Sequence, residues 1–174
     1  MERIRGMRWK ADWAISLTIG GWVALSLPTP AQIVPDNTLP APSSVETGCT
    51  LCTIEGGTRQ DNNLFHSFTE FSVPTNGQAI FDHAIDIENI FSRVTGDAIS
   101  AIDGLVETQG NTNLFLLNPN GILFGSDAQL NINGSLTAST ANRLMFTNGR
   151  TFSATDPQSP PLLSVSTDLG LQEG

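Results

Sequence analysis

From about Cys49 to Thr155 short apolar runs alternate with turn-forming residues, and a helical period almost never holds. In AQLNINGSLTAS, Ala128, Leu130 and Ile132 alternate with Gln129, Asn131 and Asn133, a period of two that turns one face of a strand inward. Gly134 interrupts the pattern, and Leu136 and Ala138 resume it. Leu114–Leu117 is a continuous apolar run, predicting a buried strand, and Ile122 and Phe124 alternate across Leu123. Asn and Gly punctuate the region at Gly104, Gly110, Asn118, Gly121, Gly125, Gly134 and Gly149, and Val73-Pro74-Thr75-Asn76-Gly77 is an explicit turn in which Asn-Gly takes positive φ cheaply. The exception is Asp86–Val94, where Ile87, Ile90, Phe91 and Val94 repeat at helical spacing. That segment reads either as a helical turn or two, or as a bent strand, since Ile and Val favour sheets. Phe65, Phe68 and Phe71, spaced by three, predict a packed core edge better than a ligand-stacking platform.

The pattern predicts an all-β chain. Evenly spaced short strands suit a closed sandwich or barrel, or a parallel β-helix. An internal echo favours the second: Ile102-Asp103-Gly104-Leu105 is similar to Ile132-Asn133-Gly134-Ser135-Leu136, and stacked coils place like corners above like. Four segments follow: 1–31, a 32–48 linker of Pro, Ser and small polar residues, the strand-rich 49–155, and a Pro-rich tail over 156–174.

Residues 1–31 have the parts of a secretory signal peptide. Arg3, Arg5, Arg8 and Lys10 form a basic start, Trp13–Leu27 is mostly apolar, and Pro28-Thr29-Pro30-Ala31 is a small-residue exit, with cleavage expected after Ala31. A membrane-spanning helix needs ~20 mainly apolar residues; this run is shorter, contains Gly20-Gly21 and ends in prolines. Without it, four arginines, no lysine and fifteen acids remain, a net charge of −11. Such a chain lacks the clustered cations that bind nucleic acid or an anionic membrane, and nucleic acid is set aside as a partner.

Cys49 and Cys52 form C-x-x-C. In an exported chain an even cysteine count points to a disulfide. A thioredoxin-like site would need a βαβ context, and zinc would need two further ligands, for which only His66 and His83 exist. No metal and no cofactor are expected. Asp82, Asp86 and Glu88 cluster beside His83, with Arg93 the nearest cation by sequence. Grouped carboxylates with a base on a β-helix can form a polysaccharide lyase or hydrolase site, the enzymatic alternative; the plainer reading is a solvated turn of an acidic protein. No G-x-S-x-G nucleophile motif occurs, Gly56-Gly57 lacks a P-loop ending, and Gly125-Ser126-Asp127 is not repeated as in calcium-binding β-rolls.

The most specific feature is Asn113–Gly125, NLFLLNPNGILFG. Asn118-Pro119-Asn120-Gly121 reads as a tight turn, with Pro119 fixing φ and Asn120 or Gly121 tolerating positive φ, and Ile122 restarts the sheet. The wording resembles the NPNGI signature of the filamentous haemagglutinin family, in its amino-terminal two-partner secretion domain. Asn63–Val73 is similar to the family's aromatic-rich first strands, and Ile87–Gly96 and Asn131–Thr140 to its later coils. The resemblance, over about Gly48 to Thr155, implies a right-handed parallel β-helix. It implies export to the periplasm, recognition by the periplasmic modules of an outer-membrane β-barrel transporter, and delivery to the surface of a Gram-negative-type bacterium. It implies a non-enzymatic adhesin or haemagglutinin, with host or neighbouring-cell glycans or proteins as surface targets. Asn118, Pro119, Asn120, Gly121 and Ile122 are then the turn for transporter recognition and folding nucleation. The family's companion NPNL motif is absent, and its long repeat arrays do not follow. The expectation is a short or truncated member whose open coil end leaves unpaired edges, marginally stable or aggregating when expressed alone, which a cooperative melt well above about 60 °C would contradict.

Overall fold

The computed structural model describes residues 31–157 and the backbone of 169–172. The expected signal peptide lies outside the described residues except for Ala31, which is buried and donates its N–H to the Cys49 carbonyl at 2.9 Å. The described residues contain strands and no helix. The chain starts with β1 (Gln32–Pro35), β2 (Ser43–Ser44), β3 (Leu51–Gly56) and β4 (Thr58–Gln60). It then winds through β5 (Asn63–Ser72), β6 (Gln78–Phe81), β7 (Asn89–Val94), β8 (Ser100–Ile102), β9 (Leu105–Thr108), β10 (Asn113–Leu117), β11 (Ile122–Phe124), β12 (Gln129–Asn131) and β13 (Leu136–Ser139). It leaves through β14 (Arg143–Phe146), β15 (Thr151–Ser153) and β16 (Leu169–Gln172).

The winding strands stack in parallel on three faces. One carries β5, β7, β10 and β13. A second carries β3, β6, β9 and β12. The third pairs β8 with β11, extended by a Val73–Ile102 bridge. This is the parallel β-helix that the family resemblance implied, one of the two architectures the strand spacing allowed, a solenoid of about four turns. Asp86–Val94 resolves as a turn followed by β7, without a helical turn; the apparent helical spacing arises because β7 is buried on both sides.

Alternate residues of each strand point into the coil, where Leu64, Ile90, Leu114 and Leu136 form one register column and Cys52, Ala79 and Val106 another. Fully burying each large apolar side chain contributes about 1.5–3 kcal/mol. At the start of the first face Asn89 donates to Asn63 and Asn113 donates to Asn89, both at 2.9 Å, across 26 and 24 residues. The Ser135 N–H then donates to the Asn113 side chain, so one amide ladder sets the height of each turn.

The outer side of the same face carries a second core. Phe65 stacks on Phe91 with centroids 5.0 Å apart, and Phe91 on Phe115 at 4.8 Å. The antiparallel hairpin β14–β15 lies over this column, with Phe146 and Phe152 edge-on to it. The three Phe residues of β5 therefore divide between two cores: Phe65 faces outward, whereas Phe68 and Phe71 both face inward. They can do so because the register slips opposite Thr69, where β1 pairs with β5.

Three expectations change. The 32–48 segment is not a loose linker: β1 pairs antiparallel with β5, β2 with β3, and Ile33 and Leu39 are buried. Part of the Pro-rich tail, β16, pairs with β14. The Ile-x-Gly echo does not mark stacked corners. Gly104 packs against the carbonyls of Gly77 and Pro74, Gly134 against that of Thr112, so the two lie on different corners.

Candidate functional site

β10 runs inward-facing Leu114 and Leu116 up to Leu117, and the chain must then turn sharply to reach the third face. Asn118 begins the corner. Its N–H donates to the Ser139 carbonyl at 3.0 Å, continuing the pairing of the strand beyond its end. The Gly121 N–H closes the turn on the Asn118 carbonyl at 3.1 Å, around Pro119, whose ring holds φ near the value the second turn position needs. Gly121 has φ +124°, a conformation side chains rarely adopt.

The Asn118 side chain is fully buried and uses both its ends. Its Oδ1 accepts the Asn120 N–H at 2.9 Å, and its Nδ2 donates to the Ala98 carbonyl at 3.0 Å and to Ser100 Oγ at 2.9 Å. Asn120 reaches back instead, donating from Nδ2 to the Gly96 carbonyl at 2.7 Å. Removing a buried amide of this kind leaves its partners unpaired, at about 1–3 kcal/mol. The corner is thus riveted to the preceding coil. Ile122 packs partly buried against the inner core.

Outside the rivets the corner is accessible. Pro119 and Asn120 line a shallow groove of about 210 Å³ with Val94, Thr95, Gly96, Asp97, Ala154 and Thr155. Corner, preceding coil and hairpin end thus share one surface, on which Asp97 is the charged group.

The acidic cluster does not assemble around Arg93. Asp86 forms an exposed ion pair with Arg59 at 2.6 Å, and the Arg59 hydrogen bond holds its carboxyl below the usual range. Asp82 accepts from Gln109 at 2.9 Å and Glu88 from Asn62 at 3.1 Å, while His83 Nδ1 lies 2.9 Å from the Ala84 carbonyl. Arg93 is buried under the hairpin. It donates to Ser67 Oγ at 2.8 Å, the Ser153 carbonyl at 2.6 Å, Thr38 Oγ1 at 2.9 Å and the Pro157 carbonyl at 3.0 Å, and stacks over Phe152. Burial lowers its pKa to about 10, against the opposing fields of Asp36 and Asp156, so it stays charged at neutral pH. Burial pushes Asp36 up, but hydrogen bonds from Thr38, Thr95 and Ser67 outweigh it and leave Asp36 below its usual value.

Cys49 and Cys52 are joined in a disulfide, Cα atoms 5.3 Å apart, just before β3, with Cys52 fully buried. No group of three or more His, Cys, Asp or Glu among the described residues could hold a metal ion.

Two features escaped the sequence reading, the asparagine ladder and the outer phenylalanine column. Their signal is present as Asn-Leu-Phe at 63, Asn-Ile-Phe at 89 and Asn-Leu-Phe at 113, a repeat spaced by 26 and then 24 residues that marks one height on one face.

The family model described as TPS secretion domain matches residues 31–174. No curated protein matches the chain.

Proposed function

The chain belongs to the TPS secretion domain family, and on that premise we propose that the Asn118–Ile122 corner is where its transporter engages it and where folding is seeded outside the cell. As a member it is a two-partner secretion substrate, a secreted protein exported across the outer membrane by a partner transporter. The observation that carries the proposed role is the division of labour within the corner. Asn118 is wholly buried and bonded to the preceding coil, whereas Pro119 and Asn120 face the groove. The first property suits a fold nucleus, because the turn is local and the Asn118 bonds reach only 18–20 residues back. The second suits recognition by the periplasmic modules of the transporter.

Export assays with the cognate transporter test the reading. Asn120→Ala should reduce surface delivery several-fold while leaving the melting midpoint of the purified chain nearly unchanged. Asn118→Ala, and Pro119→Ala with Gly121→Val, should reduce delivery and slow refolding together. Undiminished delivery of all three would sink the proposal. Once outside, the coil presents its outward faces to host or neighbouring-cell glycans or proteins, an adhesive role that binding of the purified chain to glycan arrays and cell surfaces tests directly.

A further inference from the structure

Among the described residues, four buried side-chain polar atoms find no hydrogen-bond partner in the protein: His66 Nε2, His83 Nε2, Ser92 Oγ and Thr108 Oγ1. They are not scattered. His66 and Ser92 are register partners on β5 and β7, both pointing into the coil. Thr108 is the register partner of Phe81 on the facing sheet, and the Phe81 ring lies 5.4 Å from the His66 ring. His83 follows Phe81 by two residues, just past the end of β6, and its field reaches His66. His66, Ser92 and Thr108 thus fall in one sector of the interior, between the first and second faces, with the partly buried His83 beside it.

A buried polar atom without a partner is a rarity that needs an account, and three in one sector with a fourth beside them point to a shared one. The chemistry of the four selects the occupant. The Ala84 carbonyl can only accept, so His83 Nδ1 carries a proton and Nε2 is the ring atom left for the site. His66 spends Nδ1 on Ser43 Oγ at 2.9 Å, and Ser92 and Thr108 offer hydroxyls that donate or accept. A bare cation is the wrong guest, since none of the four carries an anionic oxygen and a buried ion needs compensating charge. Water, which donates twice and accepts twice, matches this set.

We propose that the coil encloses a buried hydration site, one or two waters held by His66, Ser92, Thr108 and His83, and that proton uptake at His66 from this site releases the N-terminal cap. The cap is coupled to it because Ser43 of β2 bonds His66, and Gly57 lies so close that a Cβ there would sit 2.9 Å from the imidazole. Among the described residues the groups facing His66 are Ser43, Ser92, the Phe68 and Phe81 rings and the titratable His83. Burial first, then the field of His83, lowers the His66 pKa from 6.5 to about 3. The unfolded chain therefore takes the proton first. The stabilisation is complete above pH 6.5 and drains away as pH falls from there toward 3.

Thermal melts and water-oxygen magnetic relaxation dispersion on the full purified chain test both halves. Ser92→Ala combined with Thr108→Val should lower the melting midpoint by roughly 2–4 °C and remove the slow-water signal; a midpoint that rises or stays put means bare hydroxyls and overturns the site. Between pH 7.5 and 5.5 the native chain should lose midpoint and gain protease cleavage within residues 32–60. His66→Gln, which keeps a polar group but cannot charge, should flatten that loss. An unchanged pH dependence in His66→Gln overturns the proton step. A midpoint raised by stoichiometric zinc chloride, and only while both histidines are present, overturns water as the occupant.

Discussion

The two ends of the coil bury the same residue pattern to very different degrees. At the first end β1 and β4 run antiparallel along β5, and β2 along β3, so Phe68, Phe71 and Ile54 are essentially inaccessible. At the last end no described strand pairs with the outer edges of β11 and β12. Phe124 there is 40% exposed although its register partner Ile102 is 1% exposed, and Leu130 is 47% exposed beside Val106 at 3%. An inward-pointing residue in a solenoid is buried by the coil stacked on it as much as by its own. The capped end ends the stacking, because a reversed strand presents no further winding edge, whereas among the described residues nothing pairs with the other end or covers its apolar side chains.

The contrast can be broken from its strongest point. Phe68→Ala, in the capped interior, should cost about 3–5 kcal/mol, a large part of the stability of an ordinary domain, read as a collapsed urea midpoint. A loss under about 1 kcal/mol would show the cap to be loosely packed. Arg93→Ala comes next, because its guanidinium ties Thr38 behind the cap to Ser67 of the coil and Ser153 of the hairpin. It should cost about 2–3 kcal/mol and speed hydrogen exchange in the cap and the hairpin together; exchange changing in the hairpin alone would mean that the two are not linked through this residue. Asn89→Ala removes the middle rung of the amide ladder, bonded on both sides, and should cost about 1–2 kcal/mol. Phe124→Ala, the open-end counterpart of Phe68→Ala, should cost less than about 1 kcal/mol while delaying aggregation, followed by light scattering. An effect as large as that of Phe68→Ala would mean that the open end is covered in solution.

Much of the architecture was legible before any coordinates. Period-two alternation around Leu130 and Ile132, and Asn- and Gly-bearing corners every few residues, point to an all-β chain, Asn118-Pro119-Asn120-Gly121 to a tight turn, and the family resemblance of Asn113–Gly125 to the solenoid. The stacking itself was misread. The Ile-x-Gly echo joined corners on different edges, while the Asn-Leu-Phe and Asn-Ile-Phe copies at 63, 89 and 113, which do lie above one another, went unnoticed. The reason is that coil length varies, 26 residues and then 24 between rungs, so a fixed-period search misses what hydrogen bonding aligns.

The sequence by itself determined the class of the fold, the corner turn and the acidic, cation-poor character of the surface, because these depend on local patterning and composition. Only the tertiary structure decided which acids meet which cations: Asp86 pairs with Arg59, and Arg93, adjacent to the acids along the chain, serves the hairpin instead. It also decided that Phe65 faces outward while Phe68 and Phe71 face inward, and that Ile102 is buried while Phe124 is not. Each of these depends on what another coil, or the reversed cap, places alongside, and that contact is non-local in the chain.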